Sequence, residues 1–188
     1  MREGAYAKWE ARYGAVDYTP DLEPVPFLRE QIELFSPTDA LCLAAGCGRN
    51  AVFLAERGFA VKAVDISPRG LDWCRTLAQE RNVEVETVAA DLLNYDLGVE
   101  QYGLVIDFYY YERSIFPAIK RALKPGGHFV FQTFSVDQAA RPTGPSNRAF
   151  MVEPDALLAE FADWRIRYFE DRVVDGEALV RMIAQKRA

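Results

Sequence analysis

The chain has 188 residues, half of them hydrophobic, and a formal net charge of -6, which excludes intrinsic disorder and fits one folded domain. This acidity argues against a dedicated binder of nucleic acid or of anionic membranes, because such proteins usually present a basic patch. Three cysteines without C-x-x-C spacing argue against a disulfide framework and a zinc site.

The chain begins with two predicted helices. The stretch AYAKWEARY reads as a short aromatic helix, and a proline-containing loop follows it. Residues 27–35 place Leu28, Ile32 and Phe35 at helical spacing, which predicts a second helix. Pro37 and Asp39 then break the chain before the first strand.

Strands and helices alternate from there onward. The pattern predicts strands at 40–44, 60–64, 83–89, 104–108 and 128–134, and helices at 50–57, 68–81, 114–123 and 155–161. A loop with Pro142, Gly144 and Pro145 follows the fifth strand. Two last strands, 164–174 and 178–186, are expected to pair through Asp175-Gly176. This order predicts an α/β fold: a Rossmann-like, doubly wound sheet, mostly parallel, with an antiparallel C-terminal hairpin at one edge.

The candidate ligand site lies beyond the carboxyl ends of the strands, where such sheets bind ligands. Gly46 and Gly48 follow the first strand and allow a tight turn with a closely approaching ligand. Asp65 ends the second strand, where a carboxylate can accept hydrogen bonds from both hydroxyls of a ribose. Asp91 follows the third strand and is placed to bond an adenine amine, or alternatively to act as a turn residue. Together these residues indicate a nucleotide-type cofactor.

The glycine turn is compatible with two cofactors. Gly46, Gly48 and Ala51 satisfy the dinucleotide fingerprint G-x-G-x-x-G/A. Read two residues earlier, the turn is the D-x-G-x-G-x-G loop of S-adenosylmethionine (SAM) enzymes, with Cys42 and Ala44 in place of the acid and the first glycine. A nicotinamide-dependent reductase is the more remote alternative, because no tyrosine is followed by a lysine four residues on. The chain also leaves no room for a separate substrate domain.

The string FYYYER, residues 108–113, follows the fourth strand at the rim where the reactive end of a cofactor would lie. Aromatic faces attract cations, including a sulfonium, by about 0.5–2 kcal/mol. We therefore predict Tyr110 and Arg113 as catalytic residues, with Arg113 facing the acceptor cavity and favouring anionic acceptors. The competing interpretation is that Arg113 pairs with a surface acid.

Hydrolytic and thiol chemistry have little support. His128 is the only histidine, and no G-x-S-x-G elbow is present. Cys47 lies in the glycine turn before a helix, where the pKa of a thiol tends to fall. We interpret it as a variable residue between two glycines.

The segments LAAGCGRNAVFLAERGFAVKAVDISPRGL, AADL, ALKPGGHFVFQTF and WEARY resemble the class I SAM-dependent methyltransferases. More narrowly, they resemble the small tellurite-resistance-type and thiopurine-type members. The resemblance runs from Trp9 through the final hairpin. It implies a seven-stranded sheet, SAM as cofactor, and a single domain over residues 1–188 in which residues 1–36 form a helical lid.

The resemblance also implies a set of cofactor-binding residues. They are Trp9, Arg12 and Tyr13 in the lid; Ala45, Gly46 and Gly48 in the turn; Asp65, Ile66 and Ser67 after the second strand; and Asp91, Leu92 and Phe108 after the next two strands. The missing acid at Cys42 leaves a catalytically weak SAM-binding module as an alternative. Ala44 is expected to be tolerated, because a methyl group fits most turn-entry positions.

The expected acceptor is a small molecule that is already nucleophilic, such as a thiol or a chalcogen oxyanion, because no histidine follows the fourth strand to act as a base. We expect no metal, nucleic-acid or membrane partner, and a monomer or weak homodimer. No apolar run approaches the ~20 residues of a membrane span, and the N-terminus lacks the apolar core of a signal peptide. We therefore expect a soluble, cytoplasmic protein.

Overall fold

The computed structural model describes residues 4–141, 144–145 and 147–188. Residues 1–3 of the predicted lid and Pro142 of the predicted loop lie outside the described residues.

A single seven-stranded sheet forms the centre of the molecule, with the strand order β3-β2-β1-β4-β5-β7-β6. Strands β1 to β5 run parallel, and β7 is antiparallel to both of its neighbours, β5 and β6. The predicted sheet and its C-terminal hairpin edge are confirmed. The strands are β1 (Asp39–Leu43), β2 (Ala60–Asp65), β3 (Val85–Ala89), β4 (Tyr102–Phe108), β5 (Leu123–Phe134), β6 (Arg165–Val174) and β7 (Glu177–Gln185).

Six α-helices accompany the strands in the described part of the chain, and short 3-10 helices lie at Ile32–Leu34, Arg113–Ile115, Val136–Ala140 and Arg148–Phe150. The α-helices are α1 (Ala5–Tyr13), α2 (Pro26–Gln31), α3 (Arg49–Ala55), α4 (Pro68–Glu80), α5 (Phe116–Ala122) and α6 (Pro154–Glu160).

Two of the predicted elements differ most from the observed ones. The helix expected over 27–35 ends as an α-helix at Gln31 and continues as a 3-10 turn. Strand β5 begins at Leu123 rather than at His128, because Leu123 already pairs with Tyr102 of β4. A register shift in β4 and the positive φ of Gly126 (79°) accompany this early start.

The two faces of the sheet are buried under different helices. Val105 of β4 belongs to an apolar cluster that includes Phe116 of α5 and Leu157 of α6. Its neighbour Ile106 points to the opposite face, in a cluster with Phe27 of α2. This alternation follows from the two-residue period of a strand. With both faces covered, the carboxyl edge of the sheet is left open for a site.

Candidate functional site

A cavity of about 470 Å³ lies at the carboxyl ends of the parallel strands, next to α1. Its volume is within the range of small-molecule and cofactor pockets. Eleven of the fourteen residues predicted for the site lie in its wall. They are Trp9, Arg12, Tyr13, Ala45, Gly46, Asp65, Ile66, Asp91, Leu92, Phe108 and Tyr110.

Asp65 is a fixed, buried carboxylate in the cavity wall. Its Oδ2 accepts a hydrogen bond of 2.8 Å from the backbone N–H of Gly46, and its Oδ1 accepts one of 2.8 Å from the backbone N–H of Ser67. The side chain is 5% exposed. Burial raises the pKa of Asp65, and the backbone donors oppose that rise. The carboxylate therefore joins the glycine turn to the start of α4 and keeps further lone pairs for a ligand.

Gly46 permits α1 to approach the turn. Its φ is 54°, and a Cβ at this position would lie 2.9 Å from the hydroxyl oxygen of Tyr13. A side chain here would therefore meet both backbone strain and a steric conflict with α1.

Gly48 has a packing role, contrary to its predicted place against the cofactor. It precedes α3 with a φ of 83°, and a Cβ would lie 2.3 Å from the Sγ of Cys74. Gly48 is not part of the cavity wall. The glycine is required because α4 crosses the turn at this point.

Ala44 occupies a strained position, so the expectation that its methyl group is easily tolerated is wrong. Its φ is 47°, in the left-handed region that costs a non-glycine residue about 1–2 kcal/mol. The cavity is lined by Ala44 and its neighbours in the turn. Cys42, which stands where the family has an acid, is buried in an apolar cluster that also contains Cys74. Its thiol does not line the cavity, so it does not replace the acid as a ligand contact.

Helix α1 presents an aromatic and cationic face to the cavity. The rings of Trp9 and Tyr13 stack with centroids 5.6 Å apart, and Tyr18 meets Tyr13 edge-on at 5.5 Å. The guanidinium of Arg12 lies 5.4 Å from the centre of the Trp9 ring. Burial, together with the charge of Asp65, raises the pKa of Tyr13, which therefore stays protonated at neutral pH.

Contacts with α4 hold α1 in this place. The carboxylate of Glu10 accepts a hydrogen bond from the Ser67 hydroxyl and lies 3.1 Å from the guanidinium of Arg69. The indole N–H of Trp73 donates to the backbone oxygen of Tyr13 at 3.2 Å. Ser67 also caps α4 by accepting from the N–H of Gly70. The predicted N-cap is confirmed, but Ser67 contacts α1 and α4 and does not line the cavity.

Asp91 lies in the cavity wall and also organises its own turn. Its carboxylate accepts hydrogen bonds from the backbone N–H of Leu93 at 3.1 Å and from the side-chain amide of Asn94 at 3.3 Å. The neighbouring Leu92 is buried beside it. The two interpretations of Asp91 are therefore compatible, and its contact with an adenine amine stays a prediction.

Arg113 does not face the cavity, so its predicted place at the acceptor is wrong. Its Nε lies 3.0 Å from a carboxylate oxygen of Glu160 in α6, and its side chain is 64% exposed. The 3-10 turn Arg113–Ile115 begins here, and the side chain of Glu112 caps that turn. The ion pair expected by the competing interpretation is present, with the partly buried Glu160 as the partner.

Cys47 has a raised pKa instead of the lowered one that its place before α3 suggested. Burial raises the pKa of the Cys47 thiol, and its Sγ lies 3.4 Å from the hydroxyl oxygen of Tyr18. Burial also raises the pKa of Tyr18 to about 12. Both groups are therefore protonated at neutral pH, which supports the interpretation of Cys47 as a non-nucleophilic residue.

Several residues of the cavity wall were not anticipated from the sequence. Tyr18 and Asp21 come from the loop between α1 and α2, and Arg49 begins α3. Arg49 forms an ion pair with Asp21. Tyr109 lies between Phe108 and Tyr110, and a hydrogen bond joins its hydroxyl to the amide of Gln132. The sequence signal for this last contact is a glutamine within the apolar run FVFQTF.

No group of three or more metal-ligating side chains occurs among the residues that the structure describes. None of the described helices is long and apolar enough to cross a membrane.

Comparison with known proteins agrees with this architecture. Residues 40–127 match the family model described as a methyltransferase domain. The chain is 27% identical over 153 residues to "Hemagglutinin 1" from Eikenella corrodens; the match covers 78% of this chain and 50% of the relative. The chain thus spans about half the length of that curated relative.

Solved structures share the fold. One is described as converting a disulfide bond into a thioacetal group during echinomycin biosynthesis (TM-score 0.74, 22% identity, 97% of this chain and 89% of that chain). Another is an S-adenosylmethionine-dependent methyltransferase from Mesorhizobium loti (TM-score 0.71, 18% identity, 86% of this chain and 96% of that chain). A third is TehB from Haemophilus influenzae (TM-score 0.70, 17% identity, 95% of this chain and 67% of that chain).

Proposed function

We propose that this chain, which matches a methyltransferase-domain model over residues 40–127 and shares the fold of a SAM-dependent methyltransferase, transfers the methyl group of SAM to a small molecule that is already a nucleophile. The observation that carries this proposal is the cavity wall itself. One part of the wall holds polar groups suited to a nucleoside and an amino acid. The part formed after β4 holds aromatic rings.

The described residues of the wall fit SAM. Asp65 is fixed by two backbone donors and can accept hydrogen bonds from the ribose hydroxyls. Ile66, Asp91 and Leu92 would hold the adenine. Arg12 has no carboxylate within ion-pair distance among the described residues, so its guanidinium can bind the carboxylate of the methionine part.

Bound SAM supplies an electrophilic methyl group on a sulfonium. Phe108 at the end of β4 and Tyr110 after it lie in the wall, and their rings would stabilise that positive charge through their faces. Stacked on Tyr13, the ring of Trp9 would cover the cofactor from the side of α1 and exclude water.

The protonation of the wall supports an acceptor that is already nucleophilic. Tyr13, Tyr18 and Tyr109 have raised pKa values, with burial as the largest cause in each case. They are hydrogen-bond donors at neutral pH and cannot take a proton from an acceptor. The single histidine of the sequence, His128, packs against Phe35, outside the cavity wall.

The acidic side chains of the wall already have partners. Asp21 pairs with Arg49, and Asp65 and Asp91 accept hydrogen bonds from the backbone and a side-chain amide. With Asp65 and Asp91 assigned to the cofactor and Asp21 paired with Arg49, no carboxylate of the described wall is left to act as a general base toward the acceptor. A thiolate or a reduced or anionic chalcogen compound needs none, whereas an amine or alcohol would.

A product assay tests the proposal. Purified protein is incubated with methyl-labelled SAM and one acceptor at a time: ethanethiol, mercaptoacetate, selenite, ethanol or ethylamine. We expect label transfer to the thiols or the selenium compound and none to the alcohol or amine. Transfer to ethylamine or ethanol alone would contradict the proposed acceptor class. Binding of SAM without transfer to any acceptor would instead favour a cofactor-binding module.

A further inference from the structure

Tyr109 is held at the cavity in an unusual backbone conformation. Its φ is 64°, in the left-handed region where an aromatic residue is an outlier. Two hydrogen bonds with Gln132 stabilise this conformation. The backbone N–H of Tyr109 donates to the backbone oxygen of Gln132 at 2.8 Å. The hydroxyl oxygen of Tyr109 lies 2.9 Å from the side-chain Nε2 of Gln132. Its ring also packs against Phe134, with centroids 5.3 Å apart. Such strain persists only where the surroundings fix the residue.

A buried arginine determines which way the Gln132 amide points. The Nε of Arg181 donates to the Oε1 of Gln132 at 2.9 Å, and the Nη1 of Arg181 lies 3.2 Å from a carboxylate oxygen of Glu170. Gln132 is 1% exposed and Arg181 is 5% exposed. An arginine has only donors, so the amide oxygen must face Arg181 and the amide NH₂ must face Tyr109.

This orientation fixes the role of the Tyr109 hydroxyl. The hydroxyl oxygen accepts from the Gln132 amide, so its own proton must be given elsewhere. Among the described residues, no acceptor for that proton lies within hydrogen-bond distance. Burial raises the pKa of Tyr109, so the proton is present at neutral pH. Tyr109 lines the cavity and is 39% exposed, so its hydroxyl proton is available to an acceptor atom of a ligand bound there.

We propose that the Tyr109 hydroxyl, oriented from behind by Gln132 and Arg181, donates a hydrogen bond to an oxygen of the methyl acceptor that is not the methylated atom. The assignment rests on the function proposed above and narrows its substrate class. The acceptor carries a soft nucleophilic atom and, next to it, a carboxylate or carbonyl oxygen. The hydrogen bond holds the nucleophile in line with the methyl group, which is the positioning that a displacement requires.

The test uses three small thiols and protein saturated with S-adenosylhomocysteine. Mercaptoacetate carries a carboxylate, 2-mercaptoacetamide carries a neutral amide oxygen, and ethanethiol carries neither. Calorimetric titration should show both oxygen-bearing thiols binding at least tenfold more tightly than ethanethiol, because a donor built into a site discriminates against ligands that leave it unpaired. 2-Mercaptoacetamide is uncharged, so tight binding of this compound would reflect the hydrogen bond from Tyr109 and not the attraction of a carboxylate to the guanidinium of Arg49.

Two variants and one control make the assignment falsifiable. Tyr109→Phe should bring the three affinities within about twofold of each other. Gln132→Glu keeps the shape of the side chain but replaces the NH₂ group beside Tyr109 with a carboxylate oxygen. The Tyr109 hydroxyl should then donate to this oxygen and not into the cavity, and the preference for the oxygen-bearing thiols should be lost as in Tyr109→Phe. Tyr111→Phe is the matched control: Tyr111 packs against Phe116 and Phe131, and its variant should retain the wild-type preference.

The results distinguish a failure of the Tyr109 assignment from a failure of the proposed function. Wild-type protein that binds S-adenosylhomocysteine but does not prefer the oxygen-bearing thiols overturns the role of Tyr109 and leaves the proposed function standing. The same holds if Tyr109→Phe keeps the preference. Failure to bind S-adenosylhomocysteine overturns the proposed function, and this assignment with it.

Discussion

The carboxylate of Asp65 is expected to serve the cofactor and the fold at the same time, and Asp65→Asn tests both. The two hydrogen bonds of 2.8 Å from the N–H groups of Gly46 and Ser67 occupy both carboxylate oxygens. An asparagine can accept only one of them, because its NH₂ group then faces the other backbone donor. Leaving one buried N–H unsatisfied costs about 1–3 kcal/mol. For a chain of this length that loss lowers the melting temperature by about 2–4 °C per kcal/mol.

The loss of cofactor affinity is expected to be of similar size. Hydrogen bonds to a charged group contribute about 1.5–3 kcal/mol, so a neutral amide in place of Asp65 should weaken binding of S-adenosylhomocysteine by about 10- to 100-fold. The wild-type affinity should also fall as the pH is lowered, and it should do so at a higher pH than for an ordinary aspartate, because burial raises the pKa of Asp65. Asp65→Asn should lack this pH dependence.

Isothermal titration calorimetry across a pH series and thermal unfolding without ligand measure the two effects separately. Asp96→Asn is the matched control, because the carboxylate of Asp96 accepts from the N–H of Gly98 at 3.0 Å in an exposed turn that is not part of the cavity wall. Unchanged affinity of the Asp65→Asn variant, at a temperature where it is fully folded, would refute the ribose-binding role. Lost affinity in Asp96→Asn would show that the effect is not specific to the site.

Three further variants test the turn, the ion pair and the lid. Ala44→Gly should raise the free energy of unfolding by about 0.5–1 kcal/mol, because it relieves a φ of 47° at the cost of some backbone entropy; a lower denaturation midpoint would argue against strain. Arg113→Ala should leave methyl transfer within about twofold, because its partner is the surface acid Glu160; a large loss of turnover would restore its role at the acceptor. Arg69→Ala should speed amide exchange in α1 of the ligand-free protein, because it removes the ion pair to Glu10, and bound S-adenosylhomocysteine should slow that exchange again; identical exchange with and without ligand would contradict a mobile lid.

The sheet and about half of the cavity wall could be predicted because their signals are local. Apolar runs ending at Asp65 and Phe108 identify strands and their carboxyl ends, and parallel strands bring those ends to one edge. Trp9 and Tyr13 stand four residues apart, which places them on one helix face. The glycine motif predicted a turn, but it could not tell that Gly46 meets the cavity while Gly48 meets Cys74 of α4, because that depends on how a later helix packs.

The parts that were missed depend on contacts between distant positions. Arg113 is 47 residues from Glu160, and nothing near either residue in the sequence indicates their ion pair. The same is true of Gln132 and Arg181, which are 49 residues apart. A weak signal did exist, because each is a polar residue within an apolar strand, and buried polar side chains require partners. The positive φ of Tyr109 has no sequence signal at all.

Equilibrium binding of S-adenosylhomocysteine to the wild-type protein, measured by calorimetry with NADPH as the competitor, tests most directly whether this cavity is a SAM site. The arrangement of Asp65, Arg12 and the stacked ring of Trp9 predicts saturable binding at one site per chain that an excess of NADPH does not displace. Binding of NADPH with no heat from S-adenosylhomocysteine would contradict the assignment, and the cavity would then have to be interpreted as a dinucleotide site.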